Sequence, residues 1–120
     1  MKPETKNWLK RAERDVKTAG NSFKSKDYYA ASFWCQQSIE KGLKALLIEK
    51  TGKFPKIHDI LKLSQLNNPP QKIQEICALV NPAYIGSRYP DIPKTYTQKE
   101  SKKIISLCKE VLRWIKKSLK

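Results

Sequence analysis

The segment 28–52, YYAASFWCQQSIEKGLKALLIEKTG, constrains the fold more than any other part of the chain. Its apolar residues recur at helical spacing but go most of the way round the helix. Tyr28, Cys35, Ile39, Leu43 and Leu46 form one stripe, while Ala30, Ala31, Trp34, Ala45 and Ile48 occupy the far side. A helix that is apolar on both sides has to be covered on both sides. Two arrangements meet that demand: the helix is the centre of a bundle, or its second face, centred on Trp34, lies against another subunit. Asp27 is placed to cap its start, and Gly52 and Pro55 stop it near Lys50.

The flanking segments supply the cover. Trp8, Ala12, Val16, Ala19 and Phe23 recur at steps of three and four, which predicts an amphipathic helix from about residue 4 to residue 24, with Lys6, Lys10, Arg14, Lys17 and Lys24 on its outer face. A short helix is expected from His58 or Asp59 to Leu66, ended by NNPP. A fourth follows with Asn68 as cap, Pro69 and Pro70 at its start, Ile73, Ile76, Cys77 and Val80 on its apolar face, and an end near Asn81 and Pro82. Thr97 and Glu100 form a capping box before a last helix. Ile104, Cys108, Val111, Ile115 and Leu119 face inward there, and Lys102, Lys109, Arg113, Lys116 and Lys120 outward. No alternating strand pattern competes. The reading is all-α: an up-and-down helical bundle of four to five helices, forming one domain over residues 1–120.

Charge narrows the partners. Twenty-five Lys and Arg against 11 Asp and Glu leave a formal +14, a field that attracts RNA, DNA, nucleotide phosphates or acidic proteins. A Lys-rich solvated surface, as in heat-adapted proteins, is the other reading of the same excess. Arginine stands only at 11, 14, 88 and 113, so the bidentate fork used to read bases is scarce. Cys35, Cys77 and Cys108 are an odd, scattered set beside a single histidine, which argues against a disulfide framework or a zinc site and for three small core hydrophobes. No cofactor motif is present, because the four glycines are scattered and form no phosphate loop. No run of about 20 apolar residues spans a membrane and the first residues are charged, so a cytoplasmic location is expected, with no membrane partner.

Candidate site residues fall on the second helix and after it. Gln36 and Glu40 sit at the edge of the apolar face, where polar groups need partners or hold a ligand. Lys44, four residues after Glu40, is its natural ion-pair neighbour. Asp15 lies beside the apolar stripe of the first helix and is expected to pair with a basic residue elsewhere. His58, the lone histidine, is the one side chain with an ordinary pKa near neutrality and so a candidate general acid or base, or else a capping or packing residue. In the segment 83–96, AYIGSRYPDIPKTY, prolines 82, 90 and 93 restrain the backbone around Arg88. Arg88 there either meets a planar or anionic partner or pairs with Asp91.

NWLKRAERDVKTA (7–19), the segment 28–52, FPKIHDILKL (54–63) and RYPD (88–91) together resemble the HEPN domain family, in the branch found with minimal nucleotidyltransferases. The similarity covers nearly the whole chain in the right order. It implies a four- or five-helix bundle similar to the helical domain of kanamycin nucleotidyltransferase, usually a homodimer, encoded beside a small nucleotidyltransferase and often part of a toxin and antitoxin pair. Catalytic members of the wider family are metal-independent ribonucleases carrying Arg, four to six residues, then His. Here the positions at that spacing after Arg88 are Pro93, Lys94 and Thr95, and those before His58 are Thr51, Gly52 and Lys53.

The resemblance therefore implies a nucleotide- or RNA-binding partner of a small nucleotidyltransferase. Arg88, Tyr89, Asp91, Gln36, Glu40 and Lys44 would line its site, and Trp34 its dimer interface. Two alternatives stay open: a ribonuclease toxin with a non-standard site using His58 or Arg88, and a non-catalytic dimeric scaffold. No metal is implied in any of the three.

Overall fold

A proline in its first turn starts α1 (Pro3–Lys24), where the missing N–H is no loss and the fixed φ suits the helix. The computed structural model describes residues 1–86 and 95–120, the side chains of residues 85 and 86 excepted. Arg88, Tyr89 and Asp91 lie outside the described residues, as do Pro90 and Pro93. The chain reverses after α1 through Lys26, whose φ of 63° is left-handed. Asp27 then caps α2 (Tyr28–Thr51) by accepting from the Ala30 N–H at 3.2 Å. Gly52 ends α2 at φ 79°, where any side chain would be strained, and donates its N–H to the Ile48 carbonyl at 2.8 Å.

The remaining described helices are α3 (Ile60–Gln65), α4 (Gln71–Val80), the single turn α5 (Ala83–Gly86) and α6 (Gln98–Ser118). The described residues are thus all-helical, as the periodicity predicts. Three local features differ from the sequence reading. Pro70, not Asn68, occupies the N-cap of α4, and Asn68 instead takes a φ of 49° in the turn before it. The short helix starts at Ile60, with Asp59 accepting from the Lys62 N–H at 3.1 Å, so His58 lies just outside it. Residues 83–86, inside the stretch read as a loop, form a helical turn. The capping box of α6 is complete, with Thr97 Oγ1 and Glu100 Oε1 each accepting a backbone N–H at 3.1 Å.

Of the two arrangements open to α2, the structure takes the first. α2 is the central helix, packed by α1 and α6 along its length and by α3, α4 and α5 at its sides. Ile39, Leu43 and Leu46 are fully buried on one face and Ala31, Ala45 and Ile48 on the other. Removing a Leu or Ile side chain of that kind from water contributes roughly 1.5–3 kcal/mol. Most of both faces is therefore covered within one chain, while Ala30 and Trp34 on the far side stay half-buried. Gly42 marks the closest crossing: a Cβ there would stand 2.8 Å from Ile115 Cδ1 and 3.2 Å from Leu112 Cδ2.

Polar links fix the register of the three long helices. Ser38 Oγ donates to the Ala12 carbonyl at 2.6 Å, and Ser101 Oγ donates to the Tyr28 carbonyl at 3.1 Å. The buried Asp15 pairs with Lys41 of α2, as its place beside the apolar stripe suggests. Glu49 accepts from the Lys2 N–H at 2.9 Å and the Thr5 hydroxyl at 3.0 Å, tying the start of α1 to the end of α2.

Candidate functional site

Helical spacing sets Gln36, Glu40 and Lys44 one above another on α2, four residues apart. All three are buried, with relative exposures of 0%, 4% and 4%. The Glu40 carboxylate receives two partners. Lys44 Nζ lies 3.0 Å from Oε2, and His58 Nδ1 lies 3.2 Å from both oxygens. Gln36 Nε2 donates to the His58 backbone carbonyl at 2.9 Å. One side chain of α2 thus holds the backbone of His58 and another holds its ring, although His58 itself belongs to no helix.

A carboxylate only accepts, so the hydrogen bond to Glu40 requires that Nδ1 carry the proton. Nε2, across the ring from Nδ1, is then the acceptor of the neutral imidazole and a second donor in the charged one. The side chain of His58 is 57% exposed while that of Glu40 is 6% exposed, so the pair runs from core to surface. The ring also stacks on Tyr84 of α5, with centroids 4.9 Å apart and planes 17° from parallel. Tyr84 in turn stacks on Phe33 at 6.3 Å.

Lys44 is committed on every side. Besides Glu40, its ammonium sits 5.8 Å from the Trp8 ring and 5.3 Å from the Phe54 ring. Those two rings meet edge to face at 5.0 Å. A buried cation needs such compensation, and the ion pair together with two aromatic faces supplies it.

One residue outside the sequence-derived set positions the surface part of this site. Asn81, at the end of α4, accepts from the Ile60 N–H and donates to Asp59 Oδ1, both at 3.0 Å, while its carbonyl receives the Tyr84 N–H at 3.3 Å. It clamps the start of α3, beside His58, to the turn that carries Tyr84. Tyr84, Trp8 and Phe54 also stand outside that set, because Trp8 reads as ordinary core on the stripe of α1, while Phe54 and Tyr84 fall between the helical patterns. Gln36, Glu40, Lys44 and His58 come together, whereas Trp34 stands apart, half-buried, with its ring 5.3 Å from Phe33 and 5.8 Å from Lys41 Nζ. Among the described residues no three His, Cys, Asp or Glu side chains converge as metal ligands would.

The whole-chain comparison decides the family. A model of the HEPN domain matches residues 5–119. The chain belongs to the HEPN domain family. Two solved structures share the HEPN fold closely with it. TT1696 from Thermus thermophilus superposes with a TM-score of 0.90 at 27% identity, over 98% of this chain and 100% of that one. ST0689, described as an archaeal HEPN homologue, superposes with a TM-score of 0.85 at 32% identity, over the full length of both chains. A search of curated proteins finds no match. Among the described residues of this HEPN chain, no helix is long and apolar enough to cross a membrane.

Proposed function

We propose that this HEPN protein is the nucleotide- or RNA-binding partner of a small nucleotidyltransferase, acting as a single helical domain in a toxin and antitoxin type of module. The observation that carries the reading is the Gln36, Glu40 and His58 arrangement. A buried carboxylate and a buried amide are used to aim a half-exposed imidazole at solvent beside a stacked tyrosine. A core that needed only stability would be served as well by apolar residues at positions 36 and 40. An imidazole with Nε2 outward, in a protein of formal charge +14, suits a phosphate oxygen or a base edge. Arg88, four residues after Tyr84 in the chain, would add a guanidinium, with Tyr89 and Asp91 beside it.

The same pairing favours a second reading, ribonuclease activity. A histidine whose Nδ1 proton is held by a carboxylate is oriented to take a proton at Nε2. In metal-independent RNA cleavage that proton comes from the 2′-hydroxyl. Its oxygen attacks the adjacent phosphorus as the bond to the 5′-oxygen breaks; the departing 5′-oxygen takes a proton from water, and His58 later returns its own to solvent, leaving a 2′,3′-cyclic phosphate and a 5′-hydroxyl. Arg88 would stabilise the charge on the phosphoryl oxygens.

Incubation of the purified protein with total RNA in EDTA, beside His58→Ala, Arg88→Ala and Glu40→Gln, separates the two. Binding without cleavage, weakened in the His58 and Arg88 variants, supports the first reading. Cleavage lost in His58→Ala and reduced in Glu40→Gln by the roughly 10²–10⁴-fold typical of a positioned base supports the second. Wild-type binding in all three variants, with no cleavage by the unchanged protein or equal cleavage by all four, would remove this site from both. Co-purification with a nucleotidyltransferase encoded beside it tests the partnership, and a pair that elutes separately would refute that part.

A further inference from the structure

The grooves beside α6 share no lining residue with the His58 site, and its outward surface is built differently. Its 21 residues carry seven cations against two carboxylates. Both carboxylates are engaged, Glu100 in the capping box and Glu110 with Lys72 of α4 at 3.1 Å. Lys116 pairs with Glu13 of α1 at 3.3 Å. Among the described residues Lys109, Arg113 and Lys117 have no carboxylate in ion-pair range.

Two grooves flank this ridge. One, of about 320 Å³ between α4 and α6, is lined by Lys72, Ile73, Glu110, Arg113, Trp114 and Lys117. The other, of about 360 Å³ between α1 and α6, includes Lys109, Leu112, Arg113 and Lys116. Arg113 belongs to both. Trp114 is half-buried and packs against the core, and among the described residues its ring takes part in no aromatic or cation–π pair.

A solvated lysine face alone would carry no argument, since such faces are common. This one combines unneutralised charge with an indole that packs on the core and lines the same groove. At 1.5 Å per residue, Lys109, Arg113 and Lys116 form a row about 10 Å long on one side of the helix. Backbone-tracking cations beside an aromatic platform are the elements by which proteins hold single strands without reading sequence. A second copy of this chain would bring like charge to like charge.

We propose that the α4 and α6 groove, with the basic ridge of α6, is a docking surface for single-stranded RNA. Trp114 stacks a base there while Arg113 and Lys117 neutralise the flanking phosphates. This surface is distinct from the His58 site and serves strand binding whether or not that site cleaves.

Fluorescence anisotropy of a labelled uridylate dodecamer, titrated with the full-length protein between about 50 and 200 mM salt, tests it. Arg113→Glu combined with Lys117→Glu is expected to weaken binding more than about ten-fold and to lower the salt slope by about two, one for each phosphate no longer neutralised. Trp114→Ala is expected to weaken it by about five-fold or more with the slope unchanged, and Trp114→Phe, which preserves packing, to restore most of the affinity. In a His58→Ala background the Arg113 and Lys117 reversal and Trp114→Ala are each expected to weaken dodecamer binding by the same factor as in the unchanged protein, so failure here and failure of the His58 site are read separately. Wild-type affinity in the double charge reversal would overturn the proposal. So would displacement of the dodecamer by polyglutamate as readily as by unlabelled RNA, because the surface would then be an acidic-protein or generic polyanion site.

Discussion

Cys35, Cys77 and Cys108 show how burial governs chemistry one residue at a time. All three are buried and free. Burial pushes the Cys77 thiol from an ordinary 9.0 up to about 12. Cys35 is raised further, first by its hydrogen bond with the Cys108 thiol and then by burial. Raised thiol values mean that the folded state keeps protons which the unfolded chain releases. Their contribution is fully present below the unfolded pKa and is lost as pH rises through the folded one. Between about pH 9 and 12, Cys77 should therefore add a decline approaching about 1.4 kcal/mol per pH unit. Urea midpoints of Cys77→Val against the unchanged protein, at pH 8 and at pH 10.5, check this at roughly the precision of a single-site shift. Equal differences at the two pH values would mean that the thiol is not held protonated by the fold.

Elements meet where polar residues replace missing backbone partners. Asn81 is the clearest case, because its side chain completes the first turn of α3 and holds Asp59 while its carbonyl receives α5. Asn81→Ala should cost about 1–2 kcal/mol, the usual loss for a cap with a buried donor left open. Chemical denaturation measures the cost. The same variant should loosen His58 and Tyr84, seen as broader or shifted imidazole resonances, and an unchanged imidazole signal would show that α2 alone positions the ring. Gly42 works by absence. Any side chain there would press on Ile115 and Leu112, so α2 accepts a helix-weakening residue to bring α1 and α6 close.

At the scale of the whole molecule, α2 gives the bundle, 37 × 23 × 23 Å, its long axis of packing, and most of its two apolar faces is buried within one chain. A homodimer, which we propose on the family's habit, therefore does not follow from unburied core. Trp34, half-buried and packed against the core, is the residue on which that proposal stands. Trp34→Asp is expected to shift the protein to the monomer volume in size exclusion, with far-UV circular dichroism unchanged. A folded variant at the wild-type volume would move the interface elsewhere. Net charge also belongs to this scale, since +14 on a chain of 120 residues sets a salt-dependent attraction for polyanions before any single contact forms.

Periodicity, caps and breakers were enough to place all four major helices and the short α3 to within a few residues, because each reports a local demand of the backbone. The burial of Gln36, Glu40 and Lys44 was legible too, since helical spacing alone decides which residues share a face. The partners of those residues were not. His58 is separated from Glu40 by 18 positions and Asn81 from Ile60 by 21, and no local rule links residues that meet only when α3 folds back on α2. Whether α2 needed a second subunit was likewise undecidable from its own pattern: a doubly apolar helix demands cover, and only the packing of α1 and α6 around it shows where that cover comes from.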